Sequence, residues 1–177
     1  MSSSEQLFLE FSARKLRQLL SRIHTCLEKL DETQIWLRAA DNSNSIGNLC
    51  LHLSGNVRQW ILHGIGRQPD LRQRDAEFAA RGGVSKEELW QRLSATVQDA
   101  VTVLEHLPPE QLPETVRPQN YEVSTLEAVY HVVEHFAEHT GQILYATKAL
   151  TGEDLGFYRH LTGVVTPPPP PAGQETP

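Results

Sequence analysis

Apolar residues return every three or four positions through most of the chain, the spacing of a helix with one buried face, and polar, glycine-rich or proline-rich stretches separate four such runs. Leu7, Phe8, Phe11, Leu19, Leu20, Ile23, Leu27 and Leu30 predict a first helix over 5–30. The polar cluster Asp41-Asn42-Ser43-Asn44 supplies N-cap candidates for a second over 45–64, with Ile46, Leu49, Leu53, Val57, Trp60 and Ile61 as its stripe and Gly64 and Gly66 at its end. Ser85 and Glu88 have capping-box spacing before a third helix over 86–106, which Pro108-Pro109 stops. Ser124 and Glu127 repeat that signature before a fourth, which runs to about Leu150 and ends at Gly152. No alternation of the strand type appears.

Helices of this length span roughly 30 Å at about 1.5 Å per residue, which predicts an all-α four-helix bundle. The connections over 66–84 and 107–123 exceed the roughly 2–8 residues usual between antiparallel neighbours, so at least one is expected to cross the bundle. The segment Gly156-Phe157-Tyr158-Arg159-His160-Leu161 is expected to lay its aromatic rings on the bundle. Five consecutive prolines after Thr166 favour an extended polyproline II conformation. The expected organisation is therefore one bundle domain over 1–162 and a proline-rich, disordered tail over 163–177.

Composition narrows the function classes. Hydrophobic residues at 39% provide enough material for a packed core and exclude wholesale disorder. The net charge of −6 lacks the electrostatic drive of nucleic-acid binding. No apolar run approaches the roughly 20 residues of a bilayer span, and Met1-Ser2-Ser3-Ser4-Glu5 does not begin a signal peptide. A cytoplasmic protein with neither a nucleic-acid nor a membrane partner is the expectation. Cys26 and Cys50 form no CxxC pair and should both be reduced.

Histidine carries the candidate chemistry. The fourth helix contains His131, His135 and His139, four residues apart. At about 100° per residue, His139 and His131 fall about 40° to either side of His135. His135 and His139 sit in the apolar sector with Ala128, Val132 and Ile143, whereas His131 lies toward Glu127, Glu134 and Tyr145 and nearer solvent. An i, i+4 pair puts two imidazoles on successive turns, close enough to chelate one ion. On the second helix His52 stands beside Leu49 and Leu53, with Asn56 one turn on, and inside a bundle it can converge with the pair. An isolated histidine on an apolar face is more often a core residue than a ligand; a pair at ligand spacing with a third on another helix reverses that weighting. Three neutral imidazoles leave coordination positions open, the arrangement that acidifies bound water or holds a thiolate. His24, His63, His106 and His160 have no partners at ligand spacing. The two H-x-x-E-H matches are discounted as an inverted zinc peptidase, because only Glu153, Asp154 and Glu175 remain downstream to supply its further acidic ligand, and no nucleophile elbow or phosphate-binding glycine loop is present.

The segments Asn44-Ser-Ile-Gly-Asn-Leu-Cys-Leu-His52-Leu-Ser-Gly-Asn56-Val-Arg-Gln-Trp60, His135-Phe-Ala-Glu-His139-Thr-Gly141-Gln142-Ile143 and Asp154-Leu-Gly-Phe157-Tyr158 resemble a bacterial branch of the DinB/YfiT-like superfamily of metal-binding four-helix bundles, over residues 5–162. The resemblance implies a DinB/YfiT-type four-helix bundle holding a divalent metal ion, nickel or zinc, on His52, His135 and His139. It also implies a homodimer, and a metal-dependent enzyme that activates a thiol or water, transferase-like or hydrolase-like, with a low-molecular-weight thiol as cosubstrate. The alternative is a non-catalytic metal-binding or dimerisation module, such as a stress-response protein. Arg67, Arg72, Arg74 and Arg81 offer cations to an anionic thiol, but Asp70, Asp75 and Glu77 among them make a solvated, charge-balanced loop the simpler expectation. Leu7, Phe8, Leu9 and Phe11 give the start of the first helix more apolar surface than one core stripe needs, which places the expected dimer contact there.

Overall fold

A computed structural model describes residues 2–161; the tail expected over 163–177 lies outside the described residues. Four long helices form the body: α1 (Ser4–Glu28), α3 (Ile46–Val57), α5 (Lys86–His106) and α6 (Thr125–Thr151). Two short ones, α2 (Glu32–Trp36) and α4 (Arg74–Ala79), lie in the connections. A π-helical stretch, Arg58–His63, prolongs α3, so the second predicted helix is one rod with a widened last part.

The capping chemistry sets the starts. Ser85 and Ser124 each accept the backbone N–H of Glu88 or Glu127, and each glutamate returns a bond to its cap. At α3 the cap is Ser45, one residue beyond the predicted cluster, because Asn48 closes the box by accepting the Ser45 N–H at 3.1 Å. Asn48 is fully buried and also donates to the carbonyl oxygens of Glu77 and Ala80, which ties α4 to the start of α3. Gly152 ends α6 in the left-handed conformation, φ 69°, that a side chain disfavours.

The apolar stripes meet in one core, where Leu16, Ile23, Leu53, Ile61, Leu93, Val101, Val132 and Phe136 are wholly removed from solvent. Neighbours around the bundle run α1, α5, α3, α6, which leaves α1 diagonal to α3 and α5 diagonal to α6. The connection from α5 to α6 thus crosses the end of the bundle. On the way it forms two-residue strands, β1 (Thr115–Val116) and β2 (Val123–Ser124), paired antiparallel. These strands correct the expectation of none; segments this short cannot display a period of two. Among the described residues no helix is long and apolar enough to cross a membrane.

The apolar start of α1 divides. Leu9 is 2% exposed and belongs to the core, which removes it from any partner surface, while Leu7 and Phe11 stay half exposed. The segment after α6 packs Leu155 and Phe157 on the bundle, with the Arg22 guanidinium over the rings of Phe157 and Tyr158 at 5.3 and 5.4 Å.

Candidate metal centre

His52 projects from the middle of α3, and His135 and His139 from successive turns of the neighbouring α6. The bundle brings the three together: one ligand atom from each lies within 4.8 Å of the others. His52 Nε2 and His135 Nε2 are 2.9 Å apart, and the rings of His135 and His139 are 4.4 Å apart between centroids. Two imidazole lone pairs at that distance repel unless a proton or a cation lies between them. Two nitrogens bound to one zinc-sized ion at about 2.0–2.1 Å stand roughly 3 Å apart or slightly more. The donor set therefore fits a divalent ion.

Hydrogen bonds behind the rings set their tautomers. His52 Nδ1 lies 3.1 Å from Glu77 Oε2 and 3.1 Å from Arg72 Nη2. Arginine only donates and an ionised carboxylate only accepts. Metal binding through Nε2 requires the proton on Nδ1; in that tautomer Nδ1–H donates to Glu77, the arginine approach is a close packing contact, and the Nε2 lone pair faces the other histidines. His139 Nδ1–H likewise donates to Gln142 Oε1 at 2.9 Å. Outward bonds of this kind orient imidazoles for metal binding and raise their basicity. Burial, reinforced by the charges of His139, His52, His131 and Arg72, pushes the His135 pKa down to about 3, which keeps that ring neutral with its lone pair available. Burial lowers His139 and His131 as well.

Glu77 and Arg72 overturn the expectation that the arginine-rich linker is a solvated loop. Their side chains are 10% and 3% exposed, and the guanidinium holds both carboxylate oxygens at 2.9 Å while donating to Gln59 Oε1. Burial would raise the Glu77 pKa, but hydrogen bonds from His52 and Arg72 and the arginine's charge hold it below the usual carboxylate range. Gly55 makes the approach possible: a Cβ there would lie 1.9 Å from Glu77 Oε1. The linker's surplus length was the one sequence signal for this network, since its charges alternate as a solvated loop's would.

A cleft of about 420 Å³ opens beside His52 and His135. Arg72 and Arg74 border it together with Trp60, Gln119, Tyr121 and His131. His131, expected near solvent, is half-buried and packs against the tilted Trp60 ring at 4.0 Å between centroids. Gln119 and Tyr121 were not singled out from sequence, because they come from the connection to α6. His24, His63 and His106 stand apart: His24 stacks on Trp90, and His63 and His106 bond backbone carbonyls. Both cysteines are buried and free, and burial pushes the Cys50 thiol up to about 12.

Comparison with known proteins agrees with this architecture. A conserved protein from Enterococcus faecalis superposes with a TM-score of 0.67 at 17% identity, covering 81% of this chain and 97% of its own. The DinB-like protein YjoA of Bacillus subtilis gives 0.60 at 18% identity, covering 82% and 97%. These likenesses show the fold. No curated protein matches the sequence. The family model described as protein of unknown function, DUF1572, matches residues 3–162. The chain belongs to the DUF1572 family, and its fold is like that of the DinB-like protein YjoA.

Proposed function

We propose that His52, His135 and His139 bind one divalent metal ion and that the protein is a metal-dependent enzyme acting on a thiol or water in the adjoining cleft. The observation that carries this reading is the convergence of three imidazoles whose outward nitrogens, on His52 and His139, are already engaged by Glu77 and Gln142. When bound, such an ion lowers the pKa of a coordinated thiol or water toward neutrality. The chain's own part is positional. Glu77 keeps the His52 proton on Nδ1, Gln142 does the same for His139, and Arg72 balances the Glu77 charge so that the cluster carries no net anion. Imidazole discriminates weakly among zinc, nickel, copper and iron, so the ligand set leaves the ion's identity to measurement.

Elemental analysis of protein purified without an affinity tag tests the metal: one ion per chain is expected, and loss of it in His135→Ala. Substoichiometric metal in the wild type, or full occupancy in that variant, rejects the reading. The loaded protein, screened with low-molecular-weight thiols and electrophilic acceptors against His139→Ala, is expected to turn over at least one pair. Metal without turnover leaves a binding module.

A further inference from the structure

We infer that the cleft beside the histidines binds a small organic carboxylate with a flat body, its carboxylate on Arg74 and its body against Tyr121 and His131. The inference rests on the metal-centre reading for the fate of the ligand, though not for its binding.

The charge of the cleft sets the sign of the ligand. The protein is net acidic, yet among the described residues no acidic side chain lines this cleft, whose formal charges are Arg72 and Arg74. Arg72 is consumed by Glu77 and Gln59. Arg74 is exposed, and among the described residues no carboxylate stands within ion-pair distance of it. Its guanidinium rests on the Phe78 ring at 4.9 Å, and the same ring packs on His52 at 4.6 Å. An available planar fork thus lies one ring away from the histidine cluster. Guanidinium forks match carboxylates through two parallel hydrogen bonds. With one such fork and Arg72 already neutralised, a monoanion suits the site better than a phosphate dianion.

The aromatic part of the lining sets the shape. Gln119 and Asn120 adopt φ of 51° and 65°, a left-handed conformation that non-glycine residues adopt infrequently and that concentrates at ligand sites. The bend delivers Tyr121, 58% exposed, to the cleft rim, 5.8 Å from the Trp60 ring. Trp60 is itself buried and backs His131. Tyr121 therefore presents a flat surface with Trp60 behind it, and His131, held between Trp60 and His135, presents its ring edge beside it.

Asn56 supplies an independent sign of a ligand. It lines the cleft, is 4% exposed, and its Oδ1 has no hydrogen-bond partner, while Nδ2 faces His131 Nε2 at 3.4 Å. Turning the amide over only transfers the unmet bond to Nδ2, so in either orientation one end is left for a polar group of a bound molecule. The volume of about 420 Å³ falls in the range of small-molecule sites, roughly 300–1,000 Å³.

Calorimetric titration with benzoate and trans-cinnamate, against their neutral isosteres benzamide and cinnamamide, tests the inference on chelator-dialysed and metal-loaded protein whose metal content is assayed in parallel. The carboxylates should bind both forms, and the amides about tenfold more weakly or worse. Arg74→Gln should remove that preference without changing the helical circular dichroism, and Tyr121→Ala should weaken acids and amides alike. Equal binding of acid and amide, absence of binding to both forms, or an Arg74→Gln variant that keeps the preference overturns the inference. Carboxylate binding to protein that takes up no metal would reject the metal centre alone, and stoichiometric metal without carboxylate binding would reject this inference alone.

Discussion

Residues 107–124 join α5 to α6, which stand on a diagonal of the bundle, so the chain must cross its end; residues 64–85 join α3 to α5, which pack side by side and need only a short turn. The first connection is long because topology demands it. The second has length to spare, and that length folds back along α3 to seat Glu77 on His52. Long connections that topology does not require tend to be functional. Each holds an arginine–glutamate pair at the same 2.9 Å, but Arg117 and Glu122 are 74% and 64% exposed, against 3% and 10% for Arg72 and Glu77. Distance alone does not rank the two pairs. An exposed pair exchanges its contact for water at little cost, whereas a buried one leaves an uncompensated charge when one partner is lost.

The largest effect expected from this difference is that of Glu77→Gln, which keeps the side chain's shape and strands the Arg72 charge. It should cost about 3–5 kcal/mol in urea unfolding of metal-free protein and weaken metal affinity by about 10–100-fold in competition titrations. Adding Arg72→Met should recover part of the stability without restoring the affinity. A cost no greater than that of an exposed pair would show that burial does not separate the two regions. Gly55→Ala tests the same contact from the helix side. Its Cβ would push on a carboxylate pinned by buried hydrogen bonds. A cost of about 1–3 kcal/mol from overpacking is partly offset by roughly 1 kcal/mol of helix propensity. Thermal unfolding should show a modest net loss, and metal titration a weakened site; unchanged affinity would mean that Glu77 can move without consequence for His52. At the low end, Glu122→Gln should change stability by less than about 1 kcal/mol and metal affinity not at all, as chemical unfolding and the same titration would report.

The sequence by itself determined what depends on neighbours along the chain. Capping boxes at Ser85 and Ser124 act across three residues, and α5 occupies the predicted 86–106. The pair His135 and His139 shares a face because the helical period places it there. The pairing of His52 with them was legible one level higher, since each histidine lay among the apolar positions that a bundle must bury together. The displaced cap at Ser45 shows the limit of local reading: several residues in that cluster are competent caps, and the choice fell to Asn48, whose burial under α4 is a tertiary event. Arg72, Glu77 and Tyr121 were decided only by the tertiary structure. A charged or aromatic residue in a long connection has no period and no fixed partner, so its environment depends on where the connection folds. Here one connection folds onto α3 and buries its charges, while the other bends at Gln119 and Asn120 and leaves an aromatic ring at the mouth of the cleft.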